Sequence, residues 1–207
     1  LHQAGIKAIP VVPSLKLAKR VEAAGADAII IEGMEAGGHI GALTTMALLT
    51  NVIPEVNLPV IAAGGIVDGR GMAAALLMGA DGEMGWRFLL TSECGLHPNA
   101  KQRIIAATDT DSIATGVSRG HAVRGLKNSF TDKFLALEVQ GAPQAELDSL
   151  ATGTNRLAAV DGDVENGLVQ VGQSLTPLRR IEPVREIIDH VMTDVQRILF
   201  QAPELLK

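Results

Sequence analysis

One pattern dominates the first half of this 207-residue sequence. A short β-branched apolar run is followed by a small or glycine-bearing turn, then by a stretch of amphipathic helical period, and the unit repeats. The runs fall at residues 7–12, 28–32, 59–63 and 82–85. The first three are almost wholly apolar, as strands are when both faces of a parallel sheet are covered. Helical stretches fall between them at 14–24, 44–54 and 69–78, with Ser14 suited to an N-cap and Gly25 and Gly79 suited to C-terminal stops. Gly-Ala-Asp occurs at 25–27 and again at 79–81, each time leading into the next run. Strands alternating with helices specify an α/β protein with parallel strands and right-handed crossovers.

An open doubly wound sheet and a closed barrel both satisfy that pattern. The glycine-rich segments sit at the C-terminal ends of successive strands, where barrel enzymes place their sites, and this favours the barrel. Four βα units make half of a TIM (β/α)8 barrel. The sequence also starts at Leu1 rather than methionine. Together these lead to the expectation that about four further units, on the order of a hundred residues, precede Leu1 in the intact protein. Residues 1–92 are read as the C-terminal half of the barrel. Residues 93–207 are read as a smaller, mostly helical region. It has helices at 99–108, 129–140, 144–151 and 182–199, a strand at 113–117 and a loop-rich stretch at 155–172.

Composition narrows the function classes. Apolar residues make up 47% of the chain, too many for disorder. No run approaches the roughly 18 apolar residues of a membrane helix, and no charged start precedes an apolar run as in a signal peptide. The single cysteine, Cys94, has no internal disulfide partner, which fits a reducing cytoplasm. A net charge of −5, no tyrosine, one tryptophan and four phenylalanines argue against a nucleic-acid surface. The expectation is a cytoplasmic metabolic protein that binds neither nucleic acid nor membrane.

Three segments carry chemistry. Ala62-Ala63-Gly64-Gly65-Ile66 follows an apolar run and precedes a helix. Glycines there let backbone N–H groups approach an anion, and the next helix N-terminus favours one. Met84-Gly85-Trp86-Arg87-Phe88 ends the next run, and loops after late barrel strands commonly form phosphate sites. Both segments are equally compatible with tight turns that pack helix on strand. The third, Glu32 to Gly41, sets His39 behind Gly37 and Gly38 on a flexible strand end. An imidazole there donates to a ligand or moves a proton near neutral pH; a helix-capping or solvent-facing histidine is the alternative. No dinucleotide fingerprint or P-loop is present, and no Cys/His cluster has metal-ligand spacing. Asp161, Asp163 and Glu165 miss the calcium-loop pattern, because Gly167 comes one place late and Gly172 stands where a glutamate is needed. They read as a polar turn.

These residues resemble the family of flavin-dependent enoyl-acyl-carrier-protein reductase II and nitronate monooxygenase, formerly 2-nitropropane dioxygenase. The similarity runs through AGIKAIPVVPSLKLAKRVEAAGADAIIIEGMEAGGHIGALTTMALL, PVIAAGGIVDGRGMAAALLMGADG and RFL, then GHAVRGLKN and GDVENGLVQVGQ. It covers most of residues 1–173, and EGMEAGGHIG behind IPVVPS looks more like the reductase branch. The resemblance implies FMN across the C-terminal mouth of a barrel. Glu32, Gly37 and Gly38 would lie along the flavin or its ribityl chain, and His39 by the isoalloxazine. Gly64, Gly65 and the Glu83-Met84-Gly85-Trp86 stretch would lie at the phosphate. The family's Gln-Met/Val-Gly-Thr is here Glu83-Met84-Gly85-Trp86, so a carboxylate and an indole replace an amide and a hydroxyl. Its Gly-Gln-Ile-Ala-Gly-Leu is here Gly172-Gln173-Ser174-Leu175-Thr176-Pro177.

The resemblance further implies that NADH or NADPH reduces FMN and that the hydride passes to an electron-poor carbon. The substrate is either a trans-2-enoyl group on acyl carrier protein or a small molecule such as a nitronate. A homodimer is one assembly this allows, and a non-catalytic remnant is the reading from outside the enzyme class.

Overall fold

The computed structural model describes residues 1–206. Along the chain run β1 (Val11–Val12), α1 (Leu15–Ala23), β2 (Ile29–Glu32), β3 (Gly38–His39), α2 (Thr45–Val52), β4 (Val60–Ala63), α3 (Gly69–Leu77) and β5 (Asp81–Gly82). Then follow α4 (Pro98–Ala106), β6 (Ser112–Thr115), β7 (Val123–Leu126), α5 (Ser129–Val139), α6 (Gln144–Ala151), α7 (Thr154–Ala159) and α8 (Val184–Gln201). The chain forms two units. One comprises Leu1–Glu35, Gly41–Gly85 and Val184–Lys207, the other Ala36–Ile40 and Trp86–Pro183. This division differs from the expected boundary between 92 and 93 in three places, one being that residues 86–92 fall in the second unit. Residues 36–40 are drawn into the second unit by strand pairing, and the C-terminal helix returns to the first.

The first unit is the expected α/β layer. Its four strands are parallel and ordered β1-β2-β4-β5, following chain order without reversal. A doubly wound sheet reverses its order at the first strand; a singly wound one, as in a barrel, does not. Ile29 and Ile31 of β2 are buried with Leu48, Leu49 and Val52 of α2, Val12, Val60 and Ala62. Fully burying side chains of that size contributes about 1.5–3 kcal/mol each. The strands are shorter than the apolar runs suggest. Pro10 has no N–H to give, so the ladder of β1 begins at Val11, while residues 8 and 27 are tied by Asp27 N–H to Ala8 O at 2.9 Å and Ala8 N–H to the Asp27 carboxylate at 2.8 Å. Ser14 caps α1 as expected, accepting from Leu17 N–H at 3.3 Å. Helix α8 buries Ile187, Val191 and Val195, one stripe at intervals of four, and packs against α3.

The second unit holds the helices α4–α7, with α6 falling where the sequence places it. It also holds a three-stranded antiparallel sheet, ordered β3-β7-β6, where a mostly helical region with one strand was expected. Only β6 was legible as a strand. β7 reads Val-Arg-Gly-Leu and lacks the alternation that marks one, and β3 is two residues long. Asn128 and Thr131 form a reciprocal cap at the start of α5. Phe130 and Phe134, with ring centroids 6.0 Å apart, pack with Leu147 and Leu168. Within 161–167, Asp163 accepts from the N–H groups of Glu165 and Asn166, so the segment is a polar turn. Among the described residues no helix is long and apolar enough to cross a membrane, and no cluster of three or more His, Cys, Asp or Glu is placed to hold a metal.

Candidate functional site

In the first unit, strand register sets Glu32 beside Ala63 and Ala62 beside Gly82, so Glu32, Gly64, Gly65 and Glu83 to Gly85 gather at the C-terminal end of one sheet. Gly64 has a φ of +92°, and a Cβ on it would stand 2.8 Å from the Gly33 carbonyl oxygen and 3.1 Å from Thr45 Oγ1. The glycine is needed because two strand ends touch there, not because a ligand approaches that side as the sequence suggests. Gly85 differs: a Cβ there would meet nothing within 4 Å. The N–H groups of Gly64, Met84 and Gly85 have no acceptor among the described residues. Three free main-chain donors on adjacent strand ends suit the phosphate end of a flavin mononucleotide. The Met84 side chain is packed on the core, leaving only its backbone for that role.

Carboxylates stand at the same end. Burial first, and then the nearby charge of Glu83, push the half-buried Glu32 carboxyl above its usual range. Helix α3 was expected to offer its N-terminus to an anion. Asp68 already occupies that position, accepting from Arg70 N–H at 2.9 Å and Gly71 N–H at 3.2 Å. Sequence reading also missed a clasp. The Thr45 N–H lies 3.1 and 3.0 Å from the two Glu35 carboxylate oxygens, and Thr45 Oγ1 donates to Gly64 O at 2.8 Å. Thr45 is the first residue of α2, so Glu35 caps that helix while the hydroxyl fixes the glycine turn. The Thr44-Thr45 pair is a legible helix-start signal; its partners Glu35, ten residues before Thr45, and Gly64, nineteen after it, are not local features.

In the second unit, Gly37 is required by packing: a Cβ on it would stand 2.6 Å from the Val171 carbonyl carbon and 2.9 Å from Gly172 N. Gly38 pairs with Arg124 and His39 with Val123, and Ile40 N–H donates to Ala122 O at 3.0 Å. The flexible backbone expected at His39 is therefore a paired strand. His39, Val123 and Thr115 form one row across the sheet, and all three line a cavity of about 380 Å³. Its apolar walls include Phe130, Phe134 and Leu168, and His121 and Gln170 also reach it. The His39 imidazole is exposed, with no hydrogen-bond partner among the described residues. Trp86 is partly buried and starts a short 3₁₀ turn, Trp86–Leu90, whose Arg87 reaches Glu182 at 2.8 Å. No local signal marks His121; only the pairing of β7 with β3 brings it to the cavity of His39.

The first unit is thus a singly wound α/β layer with free donors at its strand ends, and the second holds a cavity lined by His39. The chain belongs to the nitronate monooxygenase family, whose model matches residues 1–194. It is 33% identical over 190 residues to a probable nitronate monooxygenase of Staphylococcus haemolyticus, covering 86% of this chain and 53% of that one. A probable nitronate monooxygenase of Staphylococcus aureus (strain MSSA476) is 32% identical over 210 residues, with coverage of 96% and 59%. The chain thus spans somewhat over half the length of these curated relatives. Among solved structures, FabK from Thermotoga maritima superposes with a TM-score of 0.95 at 43% identity, over 99% of this chain and 66% of that one. A nitroalkane oxidase from Streptomyces ansochromogenes gives 0.82 at 29% identity, over 98% and 61%.

Proposed function

We propose that this chain is part of an FMN-dependent oxidoreductase that uses NADH or NADPH to reduce a trans-2-enoyl thioester carried on acyl carrier protein. The observation that carries this reading is the placement of His39 on an apolar-walled cavity large enough for an acyl chain. The 43% identity to FabK, an enoyl-acyl-carrier-protein reductase II, supports it, as does the EGMEAGGHIG wording.

Each residue has a defined task. The N–H groups of Gly64, Met84 and Gly85 hold the flavin phosphate, and Gly65 continues that turn. Thr45 and Glu35 keep the turn in place. Glu32, at the same strand end, pairs with a hydroxyl of the ribityl chain. Gly37 and Gly38 set the backbone that carries His39. Bound FMN supplies hydride transfer, and the protein supplies orientation and electrostatics. His39 gives a proton from an imidazole N–H to the α carbon of the enolate left when a hydride has reached the β carbon.

A second reading has a specific observation behind it, because the family model and the curated relatives are both named for nitronate oxidation. With the neutral nitroalkane His39 acts as a base, taking the proton from the carbon bearing the nitro group to give the nitronate; with a preformed nitronate that step is already done. One experiment separates the two readings. The full-length protein, reduced under nitrogen, is mixed with a crotonyl thioester or, in air, with propyl nitronate. Anaerobic return of oxidised flavin absorbance with the thioester supports the first reading. Nitronate-dependent oxygen uptake without it supports the second.

A further inference from the structure

The cavity of His39 contains a second histidine with no assigned task. Of the five histidines, His2 pairs with Asp27 at 2.8 Å, His97 accepts from Asn99 N–H to cap α4, and His190 is engaged on α8. His39 and His121 are the two whose imidazoles have no hydrogen-bond partner among the described residues, and both line the same cavity.

Topology explains why they share it. His39 pairs with Val123 on the middle strand of the three-stranded sheet. His121 precedes Val123 by two residues, the spacing that returns a side chain to the same face of an extended chain. His121 is also held in place. Its N–H donates to Gly116 O at 3.2 Å, closing the turn between β6 and β7. Glu138 of α5 accepts from the N–H groups of Gly116 and Ser118, both at 3.1 Å, and Arg119 donates to Ala142 O at 2.9 Å. A turn fastened at three points presents the His121 side chain with little backbone freedom to lose when a ligand binds. Phe130, Phe134 and Leu168 face the same space. The cavity thus offers an apolar wall and two unengaged ring donors, matching an aliphatic chain that ends in an oxygen-bearing head.

We infer that His121 is a second ligand-contacting residue, a positioning residue that donates a hydrogen bond to the thioester carbonyl oxygen of a substrate whose aliphatic part lies on Phe130, Phe134 and Leu168. This rests on the reading that the His39 cavity receives substrate. His39 handles the proton, while His121 fixes the head group and sets the affinity for substrate.

The test uses the flavin-loaded full-length protein and the N-acetylcysteamine thioester of trans-2-hexenoic acid as probe. His121→Ala is expected to raise KM about 3- to 10-fold, the effect of one hydrogen bond, with kcat held within about twofold. His121→Gln, which keeps an N–H donor, is expected to recover most of that loss. His39→Ala serves as the control on the underlying reading and is expected to lower kcat. If His39→Ala lowers kcat and His121→Ala leaves KM unchanged, His121 has no role and the reading of the cavity survives. If alanine and glutamine at 121 are equally impaired, His121 acts through packing and the proposal is wrong. If neither histidine affects the probe, the cavity is not the substrate site and both statements fall.

Discussion

The hydroxyl of Thr45 donates to the carbonyl oxygen of Gly64 across 2.8 Å, tying the first turn of α2 to the turn that follows β4. Thr45 is buried, and the same residue's N–H engages Glu35. Thr45→Val keeps the shape and removes the hydroxyl, leaving a partly buried carbonyl without its donor. The expected loss is about 1–3 kcal/mol of unfolding free energy, read from the denaturant midpoint of the full-length protein. Thr45→Ser should regain most of it. A valine variant as stable as the parent would show that the clasp is incidental.

Gly64 and Gly85 should respond differently to an added side chain. At Gly64 the backbone is left-handed and a Cβ would collide with the Gly33 carbonyl. Gly64→Val is expected to lose about 2–6 kcal/mol, from backbone strain and overpacking together. At Gly85 there is open space. Gly85→Ala should leave stability within about 0.5 kcal/mol of the parent and weaken FMN binding about tenfold, since the new methyl group enters the space assigned to phosphate. Titration of the flavin-free protein with FMN, followed by fluorescence quenching, measures this. Unchanged FMN affinity in Gly85→Ala would remove the phosphate from that strand end.

Acid should loosen the turn that carries His121. Burial pushes the Glu138 carboxyl up. Donation from Ser118 Oγ and from the N–H groups of Gly116 and Ser118, with the Arg119 charge, outweighs that and leaves the carboxyl below its usual range. A carboxyl lowered on folding adds stability above its unfolded value, about 4.3, and that contribution is lost as pH falls through the lower folded value. The parent should therefore lose stability below about pH 4.3 more steeply than Glu138→Gln, which has no such proton to take up. Parallel stability curves for the two proteins over that range would contradict the assignment.

The repeating βα unit was legible because each part of it is local: β-branched runs, Ser14 as a cap, glycines after the helices. The sequence also put glycine-rich segments at the strand ends, where pairing of β2, β4 and β5 gathers them. What it could not show was which glycines serve the protein and which a ligand, because Gly33 against Gly64 and Gly37 against Val171 are approaches between segments distant in sequence. For the same reason His39 looked like a loop residue. Its partner strand, Val123–Leu126, lies more than eighty residues on and contains a glycine and a buried arginine where alternation would be needed. Residue types announced the strand ends, and pairing alone revealed the cavity and His121.

The central claim is that His39 acts on substrate in a flavin-dependent enzyme. Stopped-flow absorbance on His39→Ala of the full-length protein tests it by following the two half-reactions separately. The variant should keep its FMN and be reduced by NADH or NADPH at nearly the parent rate. Reoxidation by the crotonyl thioester should slow by about 10²–10⁴-fold, the usual cost of losing a general acid. Equal slowing of both half-reactions, or slowing of neither, would contradict the claim.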